Sequence, residues 1–258
     1  YKVKSEIADQ LSEGDSKILG ACTSGTGKLV KYGNHKEAKQ RSYSLKHSYL
    51  KVYFNQNKKN IKYSSLNLEK DITPQNYVIN ELNKELKDKK LNIIVDKYKV
   101  DFSKTAKSAF SLLINRVLKI DDKKRILELE ENGITIKTIP VNKDNKPWES
   151  MSFPKFSLID LIEEEEWSGE NEADFKNIIS QGFIFIPVIK EKEKHIVNGE
   201  SKYRYKNWET WEIGRSVFWK ANESELATIN KEWEKAKNIV KNGVKVNEVK
   251  HGKGTRQE

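Results

Sequence analysis

Ile134-Thr135-Ile136-Lys137-Thr138-Ile139-Pro140 is the segment whose residue types and spacing bear most directly on chemistry. Apolar and polar residues alternate along it, the pattern of a half-buried strand ended by a proline. Residues two apart on a strand point to the same face. A carboxylate two residues before a lysine would therefore set a ligand for a hard cation beside an ammonium. With further acids nearby, such a pair holds Mg²⁺, which polarises a phosphate and activates water while the lysine stabilises developing negative charge. Here the lysine is Lys137, but the residue two before it is Thr135, a neutral hydroxyl that contributes little to holding a divalent ion. Upstream, Glu128, Glu130 and Glu131 read as a solvated helix end or turn, with Glu128 close enough to lie near the strand. A surface lysine on a half-exposed strand gives the same pattern at Lys137.

A second group of polar residues lies near the start of the chain. Gly20-Ala21-Cys22-Thr23-Ser24-Gly25-Thr26-Gly27-Lys28 is a glycine-rich loop, followed by a basic, tyrosine-rich run from Lys36 to Tyr53. Gly25-Thr26-Gly27-Lys28 lacks the full spacing and the preceding buried strand of a nucleotide-phosphate loop, so an NTPase is discounted. By itself the loop reads as an ordinary turn. His35, His47, His195 and His251 are scattered, and with Cys22 they give no zinc spacing. Trp148, Trp208, Trp211, Trp219 and Trp233 read as core or rim packing. Glu163 to Glu166 reads as a solvated acidic turn.

These residues need elements to position them. Thr73-Pro74 opens a helix, with Thr73 at the cap and Pro74 in the first turn, and Val78, Leu82 and Leu86 keep helical spacing. A second helix is expected over Ser103 to Ile120, with Phe110, Leu113, Ile114 and Val117 on one face. Phe183 to Ile189 is a nearly continuous apolar run, hence a buried strand with a bulge or edge at Pro187, and Ser216 to Trp219 is a shorter strand. The last helix starts at an Asn222–Glu225 capping box, carries Leu226, Ile229, Trp233, Ala236 and Val240 at steps of three and four, and ends at Gly243. The order helix, strand, strand, helix indicates a mixed α/β fold.

The 258 residues suffice for one large domain or one domain with an appendage. The net charge of +10 fits a polyanionic partner, nucleic acid or an acidic membrane surface, although a lysine-rich proteome gives the same balance. One cysteine, Cys22, allows no internal disulfide, so a reducing cytoplasm is the expected location. No stretch reads as a membrane span and Tyr1 opens no signal peptide; the chain reads as a piece of something longer.

Two segments resemble the MutH-like family of GATC-directed endonucleases. Ile134 to Val141, with Lys146-Pro147-Trp148-Glu149-Ser150-Met151-Ser152-Phe153, is similar to that family's active-site strand and following loop. Phe218-Trp219-Lys220-Ala221-Asn222-Glu223-Ser224-Glu225, continued through Glu232-Trp233-Glu234 to Val249-Lys250-His251-Gly252, is similar to its late helix and strand. Together they cover most of the chain from about Gln75 to His251. Leu19 to Gly25 and Ala38 to Lys46 resemble the end of the catalytic half in two-domain, GATC-specific type II restriction endonucleases.

The resemblance implies an α/β restriction-endonuclease-like fold of MutH type, a mixed β-sheet flanked by helices. It divides the chain into a tail over 1–54, a linker over 55–74 (clearest at Asn55 to Lys62) and a second MutH-like domain over 75–258. The family's metal-binding glutamate falls on Thr135, its lysine on Lys137, its first aspartate near Glu128 and its helical glutamate near Ile114, or Asn115 one residue on. Two carboxylates are thus missing, so no catalytic residue and no metal are expected in this chain, and Mg²⁺ belongs to the parent deoxyribonuclease. DNA contact is expected from Thr23, Ser24, Lys28, Arg41, Tyr43, Lys46, Lys104 and Lys107. The implied partners are duplex DNA containing GATC and the N-terminal catalytic half of the same protein, without a membrane; a DNA-induced dimer is also within reach. The expected role is allosteric, binding a second GATC copy. Two alternatives remain: a nuclease in its own right using Glu128, Glu130 and Lys137, and a structural domain supporting the catalytic half.

Overall fold

The computed structural model describes residues 18–23, 29–32, 36–39, 41–57, 61–68, 71–102, 106–155, 157–163, 166–167, 174–197, 200–243, 248–251 and 254–257. In chain order these form β1 (Leu19–Thr23), β2 (Leu29–Tyr32), β3 (Lys36–Lys39), β4 (Arg41–Leu45), α1 (His47–Asn57), β5 (Tyr63–Ser64), α2 (Pro74–Leu86), β6 (Lys89–Lys90), α3 (Leu91–Tyr98), α4 (Ala106–Val117), β7 (Arg125–Ile126) and α5 (Leu127–Glu131). There follow β8 (Ile134–Val141), α6 (Leu158–Glu163), α7 (Asp174–Ile179), β9 (Gly182–Ile189), β10 (Lys192–Val197), β11 (Glu200–Tyr205), a short 3₁₀ turn (Trp208–Thr210), β12 (Glu212–Ile213), β13 (Val217–Lys220), α8 (Glu223–Lys241), β14 (Glu248–His251) and β15 (Gly254–Gln257). The fold is mixed α/β.

The main sheet is itself mixed, and β9 is its centre. On one side β9 runs parallel to β8, with Ile134 opposite Gly182 and Val141 opposite Ile189. On the other side it pairs antiparallel with β13 and then β12, and β12 continues to β6. A strand between two neighbours and two covered faces has no polar face to show, which explains the unbroken apolar run. Ile184, Ile186 and Val188 face a core built with Val78, Leu82 and Leu86 of α2, Leu91 and Ile94 of α3, and Phe110, Leu113 and Val117 of α4. Phe183 and Phe185 lie on the opposite side, stacked on each other and against Trp219, with Phe153 edge-on to Phe183.

Pro187 is internal to the sheet, and the reason is local. Val217 pairs with Phe185 and Ile213 with Val188, so three residues, 214–216, face two, 186–187. This bulge lies where Pro187 has no N–H to offer, and the Pro187 carbonyl accepts from Gly214 N–H at 2.8 Å. Pro140 is tolerated for a related reason. It sits inside β8 rather than ending it, but β8 is an edge strand, and its outward carbonyl accepts from Trp148 N–H at 3.0 Å.

The periodic helices form where expected. Thr73 caps α2 in extended conformation with Pro74 as its first residue, though without a side-chain cap bond. The four apolar residues on the expected face of α4 are all buried. The capping box of α8 is complete: Glu225 N–H donates to Asn222 Oδ1 and Asn222 N–H donates to Glu225 Oε2. Trp233 alone of the α8 stripe is buried, packed with Leu161 of α6, while Ala236 stays exposed. Gly243 follows α8 at a φ of +89°, the left-handed conformation that glycine adopts freely.

Within 55–74, where the sequence reads as a connector, lie the end of α1, β5, and Leu66 of the core. β5 pairs parallel with β7. Among the described residues no helix is long and apolar enough to cross a membrane.

Replacing Ile184, which is fully buried, by alanine is expected to cost about 2–5 kcal/mol in urea denaturation. Ile196→Ala, at a position 74% exposed, is expected to change stability by no more than about 0.5 kcal/mol. Equal losses would remove β9 from the centre of the core.

Candidate nucleic-acid interface

The N-terminal strands form two two-stranded antiparallel ribbons. β1 pairs with β4 from Leu19–Leu45 to Thr23–Arg41, and β2 pairs with β3 from Leu29–Lys39 to Tyr32–Lys36. Thr23 and Arg41, both expected DNA contacts, are therefore register partners on the last β1–β4 rung. Tyr43 projects from β4 and is 92% exposed. Lys46 behaves differently: it is only 4% exposed, and its N–H donates to Ile18 O at 2.9 Å, closing the base of the ribbon. A side chain so enclosed is turned away from a partner's phosphates. Lys107 lies in the first turn of α4. Ser24, Lys28 and Lys104 lie outside the described residues.

The β8 positions are sorted by the sheet register. Ile136 stands beside Ile184 and packs against the helical core. Thr135 and Lys137 alternate with it, beside Phe183 and Phe185 on the aromatic side. They share a face, as spacing of two requires. Ile114 is buried in the helical core, on the other side of the sheet. Asn115 donates through Nδ2 to the carbonyls of Asp121 and Lys124, closing the turn after α4.

Glu128 is not part of a solvated turn. It belongs to the short helix α5, is 9% exposed, and accepts the Leu66 backbone N–H on Oε2 at 3.0 Å. Buried beside Leu66 and Leu129, the carboxylate satisfies a backbone donor that would otherwise be orphaned. These positions do not fit a divalent ion: one is a neutral hydroxyl, one an aliphatic core residue, one an engaged carboxylate. Among the described residues no three His, Cys, Asp or Glu side chains group as a metal site.

The structure also assembles a cation–aromatic cluster at the stem of the β10–β11 hairpin. The loop after β8 returns Trp148 to this stem, where its Nε1–H donates to Lys190 O at 2.9 Å. The Lys190 ammonium lies 3.7 Å from the Trp211 ring centre and 5.0 Å from that of Tyr205. Burial pushes the Lys190 ammonium below its ordinary value, with Glu149 opposing the shift, and burial with Glu149 raises the Tyr205 phenol. Lys192 lies over Trp148 at 4.4 Å and Tyr205 at 5.1 Å. Glu191 bridges Lys143 and Lys206, which hold its carboxyl at about 2. Trp148 is thus a rim residue, as expected, but one that faces cations. The available sequence signal was Asn198-Gly199, a strong hairpin-turn pair between two alternating runs.

No protein-family model matches the chain, and no curated protein matches it in sequence.

Two outcomes follow from this geometry. Glu128→Ala leaves the buried Leu66 N–H without its acceptor and is expected to cost about 1–3 kcal/mol in urea denaturation, with Glu128→Gln costing less because the amide oxygen still accepts. Unchanged stability in Glu128→Ala would remove the structural role. Glu191, lowered from 4.5 to about 2 in the folded chain, adds stability that is fully present above 4.5 and lost as pH falls through about 2. Amide resonances of the hairpin stem should show an inflection near pH 2 in the wild type that is missing in Glu191→Gln; identical titrations would discard the bridge.

Proposed function

We propose that the chain is a DNA-binding domain with a restriction-endonuclease-like fold of MutH type, which reads GATC in duplex DNA and acts as the regulatory half beside a separate catalytic half. The observation that carries this reading is the composition of the β8 site. Lys137 stands where a nuclease lysine is expected, yet its same-face neighbour is Thr135, and Glu128 accepts a backbone N–H within the core. A divalent ion needs several oxygen ligands carrying charge. Loss of that charge leaves affinity for DNA as the retained property, and the net charge of +10 supports it. Hydrolysis with Mg²⁺ belongs, in this reading, to the catalytic half.

Tyr43 supports the assignment of the ribbon as a contact surface, because its ring is 92% exposed on the strand that also carries Arg41. Two GATC-reading halves in one protein would bind two sites as one bivalent unit, the second site raising the effective concentration of the first. In this reading cutting would depend on a second site through a coupling between two DNA-binding events.

Fluorescence anisotropy with a GATC duplex and a scrambled duplex at equal salt is expected to show at least about tenfold tighter binding to GATC. The same chain with Mg²⁺ and a GATC plasmid is expected to leave it intact. Equal affinity for both duplexes would sink the sequence-specific claim, and cutting abolished by Lys137→Ala would restore the nuclease.

A further inference from the structure

The β10–β11 hairpin stands outside the main sheet, with a clamped stem and, among the described residues of its outer half, exposed side chains at Lys194, Ile196 and Tyr203. Its register places Lys192, Lys194 and Ile196 opposite Tyr205, Tyr203 and Ser201 on one face. Cation–aromatic contacts fix the inner end of that face at Trp148 and Tyr205. The Glu193–Arg204 pair, at 2.9 Å, ties the other face. Beyond these contacts Tyr203 is 69% exposed, Ile196 more so, and Lys194 is exposed with no ion pair among the described residues. Trp148, Lys192 and Tyr203 bound a depression of about 350 Å³ at the foot of this face.

Charge complementarity selects the occupant. Residues 190–206 hold six Lys and Arg against three Glu. All three glutamates are engaged in ion pairs, Glu191 with Lys143 and Lys206, Glu193 with Arg204, and Glu200 with Lys202. The unbalanced charge that remains is positive and lies on the aromatic face. Six residues per strand give an arm roughly 20 Å long. The major groove of duplex DNA, roughly 12 Å wide, admits a two-stranded ribbon. A stem held by ring and ion contacts also keeps low the ordering cost that a flexible arm would carry on binding.

We infer that the β10–β11 hairpin is a second DNA-contacting arm, which enters the major groove of the duplex with its Lys192, Lys194 and Tyr203 face. This rests on the proposed DNA-binding function and extends it to a surface separate from the β1–β4 ribbon. Lys194 supplies charge to the phosphates and Tyr203 packs against the groove wall, while the clamped stem sets the angle of entry.

The test compares wild type, Lys192→Gln/Lys194→Gln, Tyr203→Ala and, as a control on the exposed face of α8, Lys231→Gln/Lys235→Gln. Affinity for the GATC duplex is measured over a salt series, with methylation protection at guanine N7 as the major-groove readout. The double lysine variant is expected to bind about tenfold more weakly at moderate salt, to lower the salt slope by roughly one to two, and to lose N7 protection. Lys192→Arg/Lys194→Arg keeps both charges and should keep near wild-type affinity, which separates charge loss from misfolding. Tyr203→Ala should weaken binding with the slope unchanged. Hairpin variants that bind GATC with wild-type affinity, slope and protection would overturn the arm and leave the proposed function standing. A wild type without GATC preference, but with the same dependence on the hairpin, would overturn the sequence-specific reading and keep the arm. Dependence seen with single-stranded DNA and not with duplex would overturn the groove assignment.

Discussion

The parallel ladder between β8 and β9 fixes the positions of Thr135 and Lys137. It runs in unbroken register from Ile134–Gly182 to Val141–Ile189. Helices α2, α3 and α4 press on one side of β9, and the rings of Phe183, Phe185 and Trp219 cover part of the other. A slip of one residue in β8 would exchange Ile136 with Lys137 and drive an ammonium into the helical core. Burial of an unpaired charge is expensive enough to exclude that register. The hydrophobic face of β8 therefore dictates that Thr135 and Lys137 lie on the aromatic side.

The same constraint explains why β9 begins with glycine. A side chain at Gly182 would place its first carbon 2.6 Å from the Phe218 ring, which crosses from the neighbouring strand. Phe218 lies opposite Ile184 in the antiparallel pairing, two rungs from the Gly182–Lys220 pair and so on the same face of the sheet. The start of the central strand and the aromatic edge of β13 are thus fitted to each other, and the loop leading from α7 has little freedom in where it delivers the chain.

Much of this was legible in the sequence wherever apolar spacing did the positioning. The stripes of α2 and α4, the apolar run of β9 and the capping box of α8 all read correctly, because a single period governs each. The α8 stripe overstated burial: Leu226, Ile229 and Val240 are only partly covered, since α6 and its surroundings reach mainly Trp233. Three features escaped for definite reasons. Five residues are too few to show a helical period, so α5 looked like a turn and the burial of Glu128 was hidden. Lys46 closes the ribbon through a contact with Ile18, which no local pattern encodes. β10 opens Lys-Glu-Lys and β11 alternates Lys and Arg with tyrosine, so aliphatic periodicity is weak there.

The hairpin and the ribbon meet one physical difficulty in two ways. A two-stranded unit in water is marginal by itself and needs packing to persist. The ribbon is secured at its base, where Ile18 and Lys46 pair and α1 docks on α5 through the Ser48 hydroxyl, which donates to Glu131 O at 2.7 Å. The hairpin is secured by rings and charges: Trp148 fastened to the Lys190 carbonyl, Lys190 over Trp211, Glu191 between two lysines. Apolar packing at the hairpin stem would stabilise it equally well but would not leave lysines ordered along one face. Cation–aromatic contacts fix the direction of Lys192 while leaving its charge unneutralised. A stem built this way presents the charge of Lys192 in a defined direction, with Glu191 held instead by Lys143 and Lys206, which is an arrangement a polyanionic partner can use.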